Sequence, residues 1–277
     1  MRVTINQIKE MKQKGEKIVM LTAYDYATAK IVDEVGIPLI LVGDSLGEVV
    51  LGYESTIPVT IEDMLHHTKA VVRGTKKAMV IGDMPFMTYH VSVEDALRNA
   101  ARFIQEAGCQ AVKLEGGVTV AEKVKRIVEC GIPVMGHIGL TPQSINQFGG
   151  HKIQGKTPEA AVRLLEDARA LEKAGAFAVV METVPALLAT LITQKISIPT
   201  IGIGAGPGCD GQVLVINDIL GSYTDFVPKH AKQYAKLADI MSNAVTEYYN
   251  EVKSGKFPTE KHSFIIDETV LTELGAK

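Results

Sequence analysis

The sequence has few cysteines, no long apolar run near its beginning and no excess of either charge. Its three cysteines, Cys109, Cys130 and Cys209, show neither paired spacing nor a CxxC motif. That usage excludes a disulfide framework and predicts a reduced compartment. The first residues contain no signal-like or membrane-spanning stretch, which predicts a cytoplasmic protein that does not associate with membranes.

The charge is almost balanced, with 29 Lys and Arg against 32 Asp and Glu and a formal net charge of −3. Because the two signs are interspersed, the chain lacks a basic stripe for nucleic acid and a polybasic patch for lipid. We therefore expect a small-molecule partner. With 277 residues, 46% of them hydrophobic, the chain can bury one large core, and we expect a single domain over 1–277.

Short β-rich apolar runs recur along the chain, each bounded by Gly, Pro or polar residues. The eight runs are 17–23, 38–44, 78–83, 110–115, 132–137, 177–182, 199–204 and 212–217. Segments with helical periodicity separate them. This alternation is typical of repeated βα units and predicts a parallel (β/α)₈ TIM barrel, with a doubly wound open sheet as the alternative.

Several helices carry explicit start and stop signals. Thr60 and Ser92 are expected N-caps, and Thr157 precedes a proline at the first helical position. Glycines at 108 and 175 are expected to end the second and third of these helices.

The ends of the chain are expected to add a short helix over 1–12, covering the barrel bottom, and a long helix over 231–253. A polar, irregular surface tail is expected over 254–277.

Polar side chains gather at the ends of the predicted strands, where barrel active sites lie. These residues are Asp44, Asp83, Lys113, Glu115, His137 and Glu182. Because strand side chains alternate, Asp44 is expected on the face of Val42, and the acids are expected to converge in the barrel mouth.

Converging carboxylates repel one another, so a hard cation, Mg²⁺ rather than Zn²⁺, is the expected compensation. Taken singly, each acid has about even odds of merely capping the following helix. His137 alone is more typical of a satisfied core residue.

Two loops carry competing interpretations. The glycine-rich GIGAGPGCDG (202–211) is either a phosphate loop or a close-packed turn, and its spacing fits neither GxGxxG nor a P-loop. QFGGHKIQGK (147–156) is interpreted as a mobile lid, with an exposed loop as the alternative.

Six blocks in order resemble the ketopantoate hydroxymethyltransferase family. They are TAYDYATA, VGDSLGEVVLGYEST, GDMPF, VKLEGG, PVMGHIGLTPQS and GIGAGPGCDGQVLVINDILG. The resemblance, over about residues 2–265, implies a (β/α)₈ barrel that moves a one-carbon unit from 5,10-methylenetetrahydrofolate to α-ketoisovalerate, giving ketopantoate for pantothenate and coenzyme A. It also implies a homodecamer.

The resemblance assigns the Mg²⁺ ligands to Asp44, Asp83 and Glu115, and the catalytic base to Glu182. Ser45 and Lys113, with Asp44 and Asp83, match the positions that bind the ketoacid. His137 is a possible supporting residue.

Two other classes of function stay open at this point. One is a lyase of the phosphoenolpyruvate mutase and isocitrate lyase type, although no KKCGH-like motif is present. The other is a non-catalytic barrel that binds metal and ketoacid without turnover.

Overall fold

The computed structural model describes residues 1–273 as a closed barrel of eight parallel strands. Each strand pairs with the next in the chain, and the last pairs with the first. The strands are Ile18–Thr22 (β1), Leu39–Val42 (β2), Met79–Asp83 (β3), Ala111–Glu115 (β4), Val134–Gly139 (β5), Ala178–Glu182 (β6), Thr200–Ile203 (β7) and Gly211–Leu214 (β8). The predicted (β/α)₈ class is confirmed, and the doubly wound sheet is excluded.

Helices follow most of the strands and pack on the outside of the barrel. They are Ile5–Lys14 (α1), Tyr26–Val35 (α2), Leu46–Val49 (α3), Ile61–Gly74 (α4), Val93–Gln105 (α5), Ala121–Glu129 (α6), Ile145–Phe148 (α7), Pro158–Lys173 (α8), Ala186–Lys195 (α9), Ile216–Leu220 (α10), Leu237–Lys253 (α11) and Glu268–Glu273 (α12). The three predicted N-caps are confirmed, since the side chains of Thr60, Ser92 and Thr157 each accept a hydrogen bond from the first turn.

The barrel interior is a separate apolar cluster below the mouth. It contains Ile18, Leu39, Ile81 and Val180, together with the fully buried Ile8 of α1. Because Ile8 packs among the strand residues, α1 closes the bottom of the barrel, as predicted. A capping box between Thr4 and Gln7 starts this helix.

The C-terminal part of the chain differs from the prediction. Helix α11 begins at Leu237 rather than at residue 231, because the amides of Tyr234 and Ala235 donate to Ile219 O and hold the preceding segment against α10. The tail is exposed but not wholly irregular or polar: it contains α12, and Phe264 and Ile265 are fully exposed. Residues 274–277 of the predicted tail lie outside the described part.

Strand β8 ends three residues earlier than predicted, and no helix joins β7 to β8. The connection over 204–210 instead packs closely on its neighbours: a Cβ at Gly206 would lie 2.4 Å from Ala186 Cβ, and one at Gly211 would lie 2.3 Å from Ile18 O. The close-packed turn is therefore the better interpretation of GIGAGPGCDG. Within residues 1–273, no helix is both long enough and apolar enough to cross a membrane.

Candidate active site

Five of the predicted site residues lie on strands of the barrel with their side chains in its mouth. Asp83 ends β3, Lys113 and Glu115 share β4, His137 is on β5 and Glu182 ends β6. The first four are at most 4% exposed. They continue the inward rows of Ile81, Met135, Val180 and their neighbours, so the period-two prediction holds for these strands.

Asp44 reaches the mouth by a different route from the one predicted. Val42 packs in the shell between strands and helices, whereas Leu41 lies inside the barrel. Strand β2 ends at Val42, so the following turn, and not strand alternation, brings Asp44 to the site. There its backbone N–H donates to Asp83 Oδ2 at 3.2 Å.

Lys113 and Asp83 form a buried ion pair. Lys113 Nζ donates to Asp83 Oδ1 and Oδ2, each at 2.7 Å. Burial lowers the pKa of Lys113, but Asp83, Glu115 and Asp44 outweigh burial and raise it, so the ammonium keeps its charge.

His137 lies between two carboxylates. Its Nδ1 is 3.5 Å from Glu115 Oε1, and its Nε2 is 3.4 Å from Glu182 Oε2. Burial and Lys113 lower the pKa of His137, but the contacts with Glu115 and Glu182 raise it to about 9. Glu182 is the more open end of this row, with 17% of its side chain exposed.

Two residues with no predicted role, Gln143 and Tyr89, join the acids to one another. The Gln143 side chain donates to Asp44 Oδ2 at 2.8 Å, and its backbone N–H donates to Glu115 Oε2 at 3.0 Å. Tyr89 OH donates to Gln143 Oε1 at 2.6 Å. Gln143 lies in the PVMGHIGLTPQS block, but only the folded chain shows what it contacts.

Ser45 is placed beside the acids by a tyrosine that the sequence reading also missed. Tyr24 OH and Ser45 Oγ are 2.9 Å apart, and Tyr24 is 3% exposed. Burial raises the pKa of Tyr24, so its hydroxyl stays protonated. Ser45 is thus oriented next to Asp44 at the start of the short helix α3.

The acids Asp44, Asp83, Glu115 and Glu182 outnumber the two basic side chains among them, Lys113 and His137. Burial, then Asp83 and Glu115, raise the pKa of Asp44 well above its usual range. Glu115 Oε1 is buried without a hydrogen-bond partner among the described residues. A further cation bound here would therefore reduce the repulsion between these carboxylates.

The described residues 1–273 contain no group of three or more His, Cys, Asp or Glu side chains arranged to hold a metal ion. Mg²⁺ commonly takes only one or two protein carboxylates and completes its shell with water and substrate oxygens. The hard oxygen donors of Asp44, Asp83 and Glu115 fit such a substrate-completed site better than a closed protein cage.

The segment 147–156 lies beside the open end of the row. The amide of Gln154 donates to Thr183 O at 3.0 Å, next to Glu182. Burial raises the pKa of Glu48 above its usual value, although His151 of this segment acts to lower it. Burial also raises the pKa of Asp218 to about 6, and sequence reasoning assigned that residue no role. The segment therefore lies next to Glu182, and its role as a lid stays a prediction.

Two solved structures with the same fold share little sequence with this chain. A phosphonopyruvate hydrolase, in complex with oxalate and Mg²⁺, aligns with a TM-score of 0.60 at 12% identity over 99% of this chain and 95% of its own. A 2,3-dimethylmalate lyase of the phosphoenolpyruvate mutase and isocitrate lyase superfamily aligns with a TM-score of 0.57 at 16% identity, with the same two coverages. At these identities the likeness shows the barrel fold alone.

Curated relatives are much closer. A 3-methyl-2-oxobutanoate hydroxymethyltransferase of Dehalococcoides mccartyi is 71% identical over 274 residues, covering 99% of this chain and 97% of that protein. Its namesake in Clostridium botulinum is 60% identical over 274 residues, covering 99% and 100%. A family model described as ketopantoate hydroxymethyltransferase matches residues 2–260. The chain is therefore a transferase that belongs to the ketopantoate hydroxymethyltransferase family.

Proposed function

We propose that the protein transfers a hydroxymethyl unit from 5,10-methylenetetrahydrofolate to α-ketoisovalerate and makes ketopantoate in pantothenate synthesis. The observation that carries this proposal is the buried row Glu115, His137 and Glu182 beside the Lys113 and Asp83 pair, in a chain of this family. A base and fixed positive charge next to each other suit enolate formation from a 2-ketoacid.

Lys113 and Ser45 are proposed to hold the ketoacid. The Lys113 ammonium stays charged in the buried site and can meet the substrate carboxylate with a charge-assisted hydrogen bond. Ser45, oriented by Tyr24 and next to Asp44, offers a hydroxyl to the same substrate. Held in this way, the ketoacid is proposed to lie with its C3 toward Glu182.

Asp44, Asp83 and Glu115 are proposed to hold Mg²⁺ together with the ketoacid oxygens. Bound there, the ion supplies positive charge where the enolate oxygen develops. The chain's own contribution is a set of carboxylate oxygens that Lys113 and Gln143 hold in place by hydrogen bonds. Because these oxygens already carry negative charge, the ketoacid anion binds beside them only with a compensating positive charge.

Glu182 is proposed to accept the proton from C3, with His137 holding the carboxylate from behind at 3.4 Å. The resulting enolate carbon forms a bond to the methylene carbon of the folate, and both C–N bonds of that methylene break. One water supplies the hydroxyl oxygen, and tetrahydrofolate leaves with two added protons on its nitrogens, one from the ketoacid C3 and one from the water. The donor is expected to approach from the more exposed side of Glu182, near Glu48, whose pKa is influenced by Glu182, His151 and Asp218.

Removal of the metal tests the proposal. Protein treated with chelator should lose ketopantoate formation and regain it with Mg²⁺, and Asp83→Ala and Glu115→Ala should each weaken metal or ketoacid binding. The assay follows ketopantoate with and without methylenetetrahydrofolate. Normal turnover in chelator would overturn the metal proposal. Carbon–carbon cleavage without folate would favour a lyase, and ligand binding without turnover would favour a non-catalytic barrel.

A further inference from the structure

Gln143 contacts two of the site's carboxylates with two different groups. It is 3% exposed and lies in the 3₁₀ turn Pro142–Ser144 after β5. Its Nε2 donates to Asp44 Oδ2 at 2.8 Å, while its backbone N–H donates to Glu115 Oε2 at 3.0 Å. One residue therefore sets the position of both acids.

The Gln143 side chain is itself held from behind. Its second N–H donates to Met84 O at 3.0 Å, and its Oε1 accepts from Tyr89 OH at 2.6 Å. Tyr89 OH in turn accepts from the Glu115 backbone N–H at 3.1 Å. A flipped amide would place its oxygen against a carboxylate and a carbonyl, so this orientation is the one the network permits.

The bridge spans strands that do not pair. Asp44 follows β2 and Glu115 ends β4, and β3 lies between them in the barrel. No ladder hydrogen bond can therefore fix the distance between the two carboxylates. Gln143 binds one oxygen of each, Asp44 Oδ2 and Glu115 Oε2. Of the two remaining oxygens, Glu115 Oε1 accepts no hydrogen bond within the described residues, although His137 Nδ1 lies 3.5 Å from it.

We propose that Gln143, held by Tyr89, is a positioning residue that presents Asp44 Oδ1 and Glu115 Oε1 to the bound ketoacid and its divalent cation. This inference rests on the proposed function and deepens it. Gln143 does not contact the reacting atoms, so its effect is expected on binding of the metal and the ketoacid, and not on the folate donor.

The test measures Mg²⁺ binding by calorimetry in the presence of α-ketoisovalerate and without folate. Gln143→Met keeps the length of the side chain but removes its hydrogen bonds, and we expect Mg²⁺ affinity to fall about 10–100-fold. The KM for the ketoacid should rise, while the KM for methylenetetrahydrofolate should stay unchanged. Tyr89→Phe should act in the same direction with a smaller effect.

The matched control is Thr68→Val on α4. It removes an equally buried hydrogen bond, Thr68 Oγ1 to Met64 O at 2.6 Å, away from the site. We expect it to lower Tm without changing Mg²⁺ affinity.

The inference would be overturned if Gln143→Met or Tyr89→Phe lowers Tm but leaves the Mg²⁺ affinity and the ketoacid KM at their wild-type values. If Gln143→Met does not fold, Tyr89→Phe decides. A wild type that binds neither Mg²⁺ nor the ketoacid would overturn the proposed function as well, so the two failures are distinguishable.

Discussion

His137 is buried on an apolar strand, yet neither ring nitrogen makes a hydrogen bond within the described part of the chain. A satisfied core histidine, the more common case, would have a partner at each nitrogen or at one of them. Its raised pKa, about 9, places an imidazolium between Glu115 and Glu182 at neutral pH. That positive charge lies 3.4 Å from Glu182 Oε2, the carboxylate that we propose as the general base.

Replacement of the base should separate proton removal from folding. In Glu182→Gln we expect a folded protein that binds Mg²⁺ but has lost about 10²–10⁴-fold in exchange of the α-ketoisovalerate C3 hydrogen with deuterated water. Proton NMR without folate measures this exchange directly. A role in capping α9 is not supported, because the cap of that helix, Pro185, has no side-chain hydrogen bond.

The contrary result is equally informative. Exchange at the wild-type rate, with only hydroxymethyl transfer impaired, would show that another group removes the proton. His137, 3.4 Å from Glu182, would then be the next residue to replace.

Lys113→Met should raise the ketoacid KM about 10–100-fold, because a charge-assisted hydrogen bond to the substrate carboxylate contributes about 1.5–3 kcal/mol. It should also destabilise the fold, since both Asp83 oxygens lose their buried partner. Steady-state kinetics and urea unfolding measure the two effects.

The double variant Lys113→Met/Asp83→Asn tests the role of Lys113 in stability. It removes the unpaired buried charge, so we expect stability to return, while the KM of the single variant alone reports on the substrate role of Lys113. A single variant with unchanged KM would remove Lys113 from the substrate site.

Alternation along a strand was enough to predict Asp83, Lys113, Glu115 and Glu182 as neighbours in the mouth. It was not enough for Asp44, whose position depends on where β2 stops. Gln143 was missed because its partners come from three separate strand ends and meet only in the closed barrel. Such contacts have no period in the sequence.

At the scale of elements, α2 is joined to the start of β3 by one carboxylate. Asp33, 5% exposed, accepts hydrogen bonds from the backbone N–H groups of Lys76, Lys77 and Ala78 at 2.7–2.9 Å. Burial raises the pKa of Asp33, but these three donors and Arg2 outweigh burial and lower it. These hydrogen bonds position the residues just before β3, the strand that carries Asp83.

Asp33→Asn should lower the free energy of unfolding by about 2 kcal/mol at neutral pH, because an amide oxygen is a weaker acceptor and one site is lost. A depressed folded-state pKa contributes stability above the usual aspartate pKa of about 3.9, and that stability is lost as the pH falls toward the folded-state value. The stability difference between wild type and variant should therefore shrink between about pH 5 and pH 3. Urea unfolding at several pH values measures it, and a difference independent of pH would contradict this account.

Elements were predictable where propensity, caps and burial agree, as in the helices capped by Ser92 and Thr157. They were not where tertiary contacts compete. The segment 231–236 has a helical pattern, but the amides of Tyr234 and Ala235 donate to Ile219 O of α10. Helix α10 begins at Ile216, whose N–H donates to Thr22 Oγ1 at the end of the neighbouring strand β1.

At the scale of the whole molecule, the barrel is incompletely covered. The connection between β7 and β8 contains no helix, and Val19, on the outer face of β1, is 47% exposed. Strands of a parallel barrel are normally buried on both faces. Helix α11 has no buried residue, although it has an apolar side. The uncovered face of β1 and the apolar side of α11 are both apolar surfaces that another chain could cover.

We propose that further copies of this chain cover them in a homo-oligomer, which the family resemblance predicts to be a decamer. The apolar stripe of α11 consists of Met241, Val245, Tyr248 and Val252, which are 44–66% exposed and share one face at helical spacing. Light scattering should give a mass well above 29.9 kDa for the wild type, and ten times that value for a decamer. Val245→Glu should shift the protein to smaller species, because a charge cannot be buried there without a partner. Asn243→Glu, on the opposite face, should leave the mass unchanged. A monomeric wild type, or equal effects of the two substitutions, would show that the stripe does not mediate assembly.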